Sequence, residues 1–409
     1  MSAVADAPAP DLIDLRRTLH AIPEIGLHLP RTQAVVLDAL AGLDIEITRG
    51  RALSSVVGVV RGSAPSPDPR PVVLLRADMD ALPVHEEVAA PWISTHDGVM
   101  HACGHDLHTA ALVGAAHQLC ARRDELAGDV ILMFQPGEEG PGGAAPMVEE
   151  GLLEAAGRPV DAAYAVHVFS AEHPLGVWFG RPGSLMAASD ELTVTVVGDG
   201  GHGAAPHRTL DPVPVACEIV LALQTLVTRK FSIFDPVVVT VGRITAGTKN
   251  NIIGDRAVID MTVRTFAPAT REKALADIER AARGICAAHG LGVEIERHTG
   301  YPATINDPDE QALAEATIRD LFGAQRWVDQ PFPEAGAEDM SVVMELVPGA
   351  YVNISACPLG VDPATAPDNH SPRAEFDDSV VPDMALFLTE IALRRCAALA
   401  HERSGGGQA

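Results

Sequence analysis

The chemistry-bearing residues of this chain collect just after its apolar runs. Val72–Leu75 leads into Arg76, Asp78 and Asp80, and Val130–Phe134 leads into Gln135-Pro136-Gly137-Glu138-Glu139. Ala162–Val168 carries His167 near its end, and between the first two runs lies His101-Ala102-Cys103-Gly104-His105-Asp106. Thiolate and imidazole are good ligands for zinc and similar divalent ions. Cys103 and His105 are two residues apart, so in extended backbone they face the same side. Alone, Cys103 reads as a small core hydrophobe and His105 as a hydrogen-bonded structural residue. Yet three His, one Cys and one Asp fall within His101 to His108, ahead of an apolar helical stretch. That density favours a metal role for Cys103 and His105.

Glu138 and Glu139 sit in a Gly-Pro context, QPGEEGPGG. Adjacent acids there are usually a solvated turn, but a metal hydrolase can divide them. One carboxylate ligates the metal while its neighbour, diverging from it, takes a proton from water. His167, between Val166 and Val168, is equally a core histidine or a ligand. Asn369-His370-Ser371-Pro372 is a short polar loop that says little alone. His202 is flanked by Gly200, Gly201 and Gly203; it is either a turn residue or a group brought close to a ligand by bare backbone. Arg264 offers a fork that fits a carboxylate, or a surface salt bridge. Asp80 is expected to orient a ligand histidine by hydrogen bond. His101, Asp106 and His108 either do the same or cap the following helix.

These residues need elements to hold them. Leu12, Leu15 and Leu19 repeat at helical spacing, and Pro23 ends that helix. A second helical pattern runs from about Thr32 to Leu43. Strand-like runs follow at Val56–Val60, Val72–Leu75, Val130–Phe134 and Ala162–Val168, with helical segments at Thr109–Leu119 and Val148–Ala156. Short apolar strands alternating with helices predict an α/β sheet buried on both faces. In such a sheet, ligands bind beyond the carboxyl ends of the strands, where the polar residues above converge. After Gly183 the pattern changes. Leu192–Val197 alternates, Pro212–Thr228 and Arg271–His289 are helical, and Val237–Val241, Ala257–Arg264 and Val293–Arg297 are strands. That order predicts a small α+β domain inserted into the larger one. Helix (Glu310–Phe322), strand (Ala350–Ile354) and helix (Val381–Ala398) then complete the first domain. The expected division is 1–185 with 302–409 around an insertion at 186–301. The Gly-rich tail Ser404–Ala409 is expected to be disordered.

Composition excludes some classes. The chain has 409 residues, with 55 acidic against 30 basic side chains, a net charge of −25. Such a surface repels phosphate backbones and anionic lipid, so no nucleic-acid partner is expected. No run of about 18 apolar residues is present, so no membrane span is expected. The six cysteines lie far apart with no framework spacing, which argues against a disulfide scaffold. Met1 to Asp14 has no basic stretch of a secretory leader, and a reducing cytoplasm is the expected location.

Together the motifs resemble the amidohydrolase branch of the aminoacylase/carboxypeptidase metallopeptidase family. The matching segments are RRTLHAIPE, RADMDALP, MHACGHDLHT, QPGEEGPGGA, AVHVF, GGHGAAPH, NNIIGDRAVIDMTVR, GAEDMS and NHSP, spread from Arg16 to Pro372. The resemblance implies an α/β dimetal-peptidase catalytic domain with an inserted α+β lid that forms a dimer contact. It implies two divalent metal ions per subunit, with Cys103 bridging and His105, Glu139, His167 and His370 completing the ligand set. Glu138 would be the general base. From the lid, His202 would stabilise the oxyanion, and Asn251 and Arg264 would hold substrate polar groups, reaching the partner subunit's active site. Gly254, His28, Leu29 and Met340 depart from the usual pattern and leave acyl preference open.

The expected activity is hydrolysis of an N-acyl-amino acid, a small molecule, to a carboxylic acid and a free amino acid by a homodimer or higher oligomer. Zinc suits a bridging cysteine; manganese, cobalt or nickel are alternatives. A dipeptidase or aminopeptidase on the same scaffold is the close rival. A non-catalytic metal-dependent binding protein would not need Glu138, and a thiol redox protein would need a second cysteine near Cys103.

Overall fold

The computed structural model describes residues 10–405. The chain divides into two compact units. The first comprises the residues up to Gly183, Ile305–Pro331 and Val342 onward; the second comprises Ser184–Thr304 and Phe332–Ser341.

The first unit is built on a mixed eight-stranded sheet. Its spatial order is Glu46–Arg49, Val56–Arg61, Asp129–Gln135, Val72–Asp78, Ala162–Phe169, Gly349–Ser355, Trp178–Gly180, Trp327–Asp329. Val72–Asp78 runs parallel to both Asp129–Gln135 and Ala162–Phe169, and Gly349–Ser355 extends that parallel centre. Val56–Arg61 joins it antiparallel. Val72–Asp78, Asp129–Gln135 and Gly349–Ser355 are buried at every residue. A strand with both faces covered must be apolar on both, so these read as continuous runs with no alternation. The parallel strands point their carboxyl ends the same way, which collects the residues after Val72–Asp78, Asp129–Gln135 and Ala162–Phe169 on one rim.

Helix His105–Ala121 lies in the core of this unit, and only Gln118, Cys120 and Ala121 are less than buried. It begins four residues before the apolar stretch expected from sequence. His105, Asp106 and His108 are polar, yet each has buried company that makes helix tenable there. Gly104 ends the preceding loop with φ +79°, and a Cβ on it would lie 2.3 Å from Cγ2 of Val168. Both the left-handed backbone and the tight approach require glycine. The strands Glu46–Arg49, Trp178–Gly180 and Trp327–Asp329 escaped the sequence reading because three or four residues are too few to show a period.

The second unit carries an antiparallel sheet in the order Val237–Ala246, Arg256–Thr265, Ala188–Val197, Gly292–Thr299. Ala188–Val197 alternates buried and less buried residues along its length, the signature of a sheet covered on one side. Helices Pro212–Lys230 and Pro268–Ala288 supply that cover, and Val215, Ile219, Leu223, Leu275 and Ile278 form a core with Val194, Ile259 and Val263. By length and composition Pro212–Lys230 is apolar enough to cross a membrane; here its buried side chains face the sheet. The C-terminal helix of the first unit, Val381–Gly405, is longer than expected and takes in Ser404 and Gly405; the rest of the predicted disordered tail, 406–409, lies outside the described residues.

Candidate metal centre

Four segments of the first unit bring the candidate donors together. Cys103 and His105 flank the start of the buried helix, Glu138 and Glu139 follow strand Asp129–Gln135, and His167 lies on Ala162–Phe169. His370 arrives on the Asn369–Pro372 loop, where its backbone takes φ +69° and its N–H donates to the Ala102 carbonyl at 2.8 Å. Histidine is among the residues that tolerate that conformation.

Two of the groups that these candidate donor atoms form share one atom. Cys103, His105 and His167 have donor atoms within 4.8 Å of one another, and so do Cys103, Glu139 and His370. The Cys103 sulfur therefore belongs to both. It stands 3.4 Å from Nε2 of His167. A sulfur and a nitrogen on one tetrahedral zinc ion would be about 3.6 Å apart, from bond lengths of about 2.3 and 2.0 Å. His370 Nε2 lies 3.1 Å from Oε1 of Glu139.

His105 gives the clearest test of fit. Its ring is buried, and neither nitrogen has a hydrogen-bond partner among the described residues. Around Nε2 stand Asp78 at 3.7 Å, Glu138 at 3.9 Å and Glu139 at 3.9 Å; Asp80 lies 3.6 Å from Nδ1. Carboxylates that crowd a buried imidazole at this spacing form a donor set suited to a shared cation. Electrostatics agree. Burial opposes protonation of His105, yet Asp78, Asp80 and Cys103 hold its pKa well above the ordinary imidazole value. The Cys103 sulfur and the Glu139 carboxylate push His370 up to about 10. His167 goes the other way, held low by burial and by His108. The donor set thus fits divalent metal on this structure's own geometry.

A second layer sets these groups in place. Asp80 does not reach hydrogen-bond distance of His105; instead its two carboxylate oxygens accept the backbone N–H of Glu138 (2.9 Å) and of Glu139 (3.0 Å). One aspartate thereby orients the whole Glu-Glu turn. His108 Nδ1 lies 2.6 Å from Oδ1 of Asp78, and its Nε2 accepts the N–H of Val168 at 2.9 Å. This fixes the tautomer and ties helix to strand. Asp106 is bound by Arg16 Nε and His20 Nδ1, both at 2.8 Å. His101 is buried, and burial depresses it to about 4. Arg16 and His20 had no signal in spacing as partners of Asp106, because they come from a helix far away in sequence. Their trace in the sequence was the motif segment RRTLHAIPE, which contains both.

His202, Asn251 and Arg264 belong to the second unit. His202 is exposed on the short strand Gly201–His202, which pairs with Ile252–Ile253, and Asn251 immediately precedes that partner strand. The Asn251 carbonyl accepts the N–H of Gly203 at 2.9 Å, so the two residues share one small structure. Arg264 is half-buried on Arg256–Thr265, opposite Ser189 and Val238.

Fold and site together define a dinuclear-type metallohydrolase scaffold, and comparison with known proteins assigns the family. Residues 74–394 match the model of peptidase family M20/M25/M40, and the chain belongs to that family. It is 35% identical over 384 residues to an N-acetyl-L-cysteine deacetylase of Bacillus subtilis, covering 94% of this chain and 88% of that protein. It is 37% identical over 344 residues to thermostable carboxypeptidase 1 of Saccharolobus solfataricus, covering 83% and 84%. Among solved structures, it aligns with the Bacillus subtilis YXEP protein, described as a dinuclear metal-binding peptidase of the same family. That match has 30% identity and a TM-score of 0.80, with 94% and 98% of the chains covered.

Proposed function

We propose that this chain is a metal-dependent amidohydrolase that cleaves N-acyl-amino acids to a carboxylic acid and a free amino acid. The observation that carries the reading is the pair of three-donor groups joined through the Cys103 sulfur. Cys103, His105, Glu139, His167 and His370 would hold two divalent ions, zinc first by the sulfur donor and manganese, cobalt or nickel otherwise. Bound there, the ions would supply Lewis-acid chemistry to an amide carbonyl and to water.

The residues do the rest. Glu138, buried beside the donor groups and fixed through its backbone by Asp80, takes the proton of the attacking water and hands it to the leaving nitrogen. His202 donates to the oxyanion of the tetrahedral carbon, and Asn251 and Arg264 bind the substrate carboxylate. The last three act in a homodimer, each serving the partner's site. An exposed apolar set on the second unit, Leu221, Ile233 and Phe234, supports such an assembly. All six cysteines are free, which supports a reducing cytoplasm.

The carboxypeptidase among the relatives favours a second reading, peptide hydrolysis on the same scaffold. A panel of N-acetyl, N-benzoyl and long-chain acyl amino acids beside dipeptides, run on protein of measured metal content, decides between them. Turnover of dipeptides alone would sink the acyl-amino-acid reading.

A further inference from the structure

We propose that Asn369 is a positioning residue of the metal centre: its side-chain amide clasps the Cys103 sulfur and the strand end that carries His167, directly beside His370. The inference rests on the metal-centre reading above and goes beyond its ligand set.

Each half of the amide has a defined task. Nδ2 donates to the Val168 carbonyl at 3.0 Å and to the Cys103 sulfur at 3.6 Å. Oδ1 accepts the Ser170 backbone N–H at 2.9 Å, and the Ser170 hydroxyl lies 3.0 Å from it. The backbone settles which end of the amide faces which way. Ser170 N–H can only donate and Val168 C=O can only accept, so the N–H end must face Val168 and the sulfur. The clasp therefore joins the residue after His167 to Cys103. It also fixes the residue before His370, whose own N–H ties back to Ala102. Three donor segments meet at one side chain.

The contact to sulfur has a chemical consequence that simple anchoring lacks. An N–H directed at a thiolate withdraws electron density from it. Partners of this kind both orient a ligand and tune the metal it holds. A sulfur shared by two groups of donors carries much of the centre's charge, so its hydrogen bond acts on both positions.

The test uses the full-length protein loaded with cobalt(II), whose sulfur-to-cobalt charge-transfer absorption reports on Cys103. Cys103→Ser should abolish the band and so assign it. Asn369→Ala should move it to longer wavelength, because a thiolate without its N–H partner gives up charge more readily. The same variant should weaken cobalt binding by roughly 10–100-fold in chelator competition. Asn369→Asp keeps the acceptor for Ser170 N–H but has no N–H to offer sulfur; it should shift the band in the same direction, and it serves if the alanine variant fails to fold. An unmoved band and unchanged affinity in either folded variant overturns the proposal. A wild-type protein without any cysteine-dependent band overturns the metal-centre reading, and this inference with it.

Discussion

The Sγ of Cys103 stands 3.4 Å from Nε2 of His167, although one residue precedes a helix and the other lies near the end of a strand. What permits the approach is Gly104, whose absent side chain leaves Val168 room to pack against the loop. A methyl group there would push loop and strand apart and separate the two donors. The site's spacing is therefore a packing property as much as a choice of ligands.

Chelation should abolish activity, and re-addition of a divalent ion should restore it. Cys103→Ala should bind markedly less metal than wild type by elemental analysis, since its sulfur is the donor common to both groups. Full activity in rigorously metal-free protein would end the metal reading.

Glu138→Gln should keep metal and substrate binding but lose a factor of about 10²–10⁴ in turnover, the usual worth of a general base. Glu139→Gln should lose metal instead, because its carboxylate faces His370 at 3.1 Å. Metal content and kcat, measured on both variants, separate the roles; the opposite pattern would exchange the two assignments.

Arg16 and Asp106 form a fully buried ion pair, 2% and 0% exposed at their side chains. Removing Arg16 leaves the buried Asp106 carboxylate with the His20 ring at 2.8 Å as its remaining partner, so Arg16→Met should cost roughly 1–3 kcal/mol in urea unfolding. The double replacement Arg16→Met with Asp106→Leu should cost less than the sum of the single ones. A single-variant loss below about 1 kcal/mol would contradict a carboxylate that depends on Arg16 for its burial.

His202→Ala and Glu138→Ala should each be nearly inactive. When the two are unfolded together in equal amounts and refolded, about half the dimers are mixed by random pairing, and one site in each mixed dimer has both groups intact. About one quarter of all sites should then work if His202 serves the partner subunit. A refolded mixture that is dimeric, binds metal and remains inactive would rule out the trans arrangement.

Residue type and local spacing were enough to mark where candidate donors collect. A Cys and a His two apart, an acidic pair after an apolar run and a histidine inside one are local patterns, and a parallel sheet delivers the ends of its strands to one rim. The alternation of Leu192–Val197 likewise announced a one-sided sheet, because side-chain period follows directly from strand geometry. Which groups hold those residues was decided only by tertiary structure. Asp80, expected beside a histidine, lies 3.6 Å from Nδ1 of His105 and also holds the Glu138–Glu139 backbone. His20 meets Asp106, and Asn369 meets Cys103, across stretches of chain that no periodicity connects. Local sequence dictates backbone conformation and which face of an element is apolar. A buried polar group, by contrast, must find its partner wherever the fold brings one within about 3 Å, and that distance exists only once the core has closed.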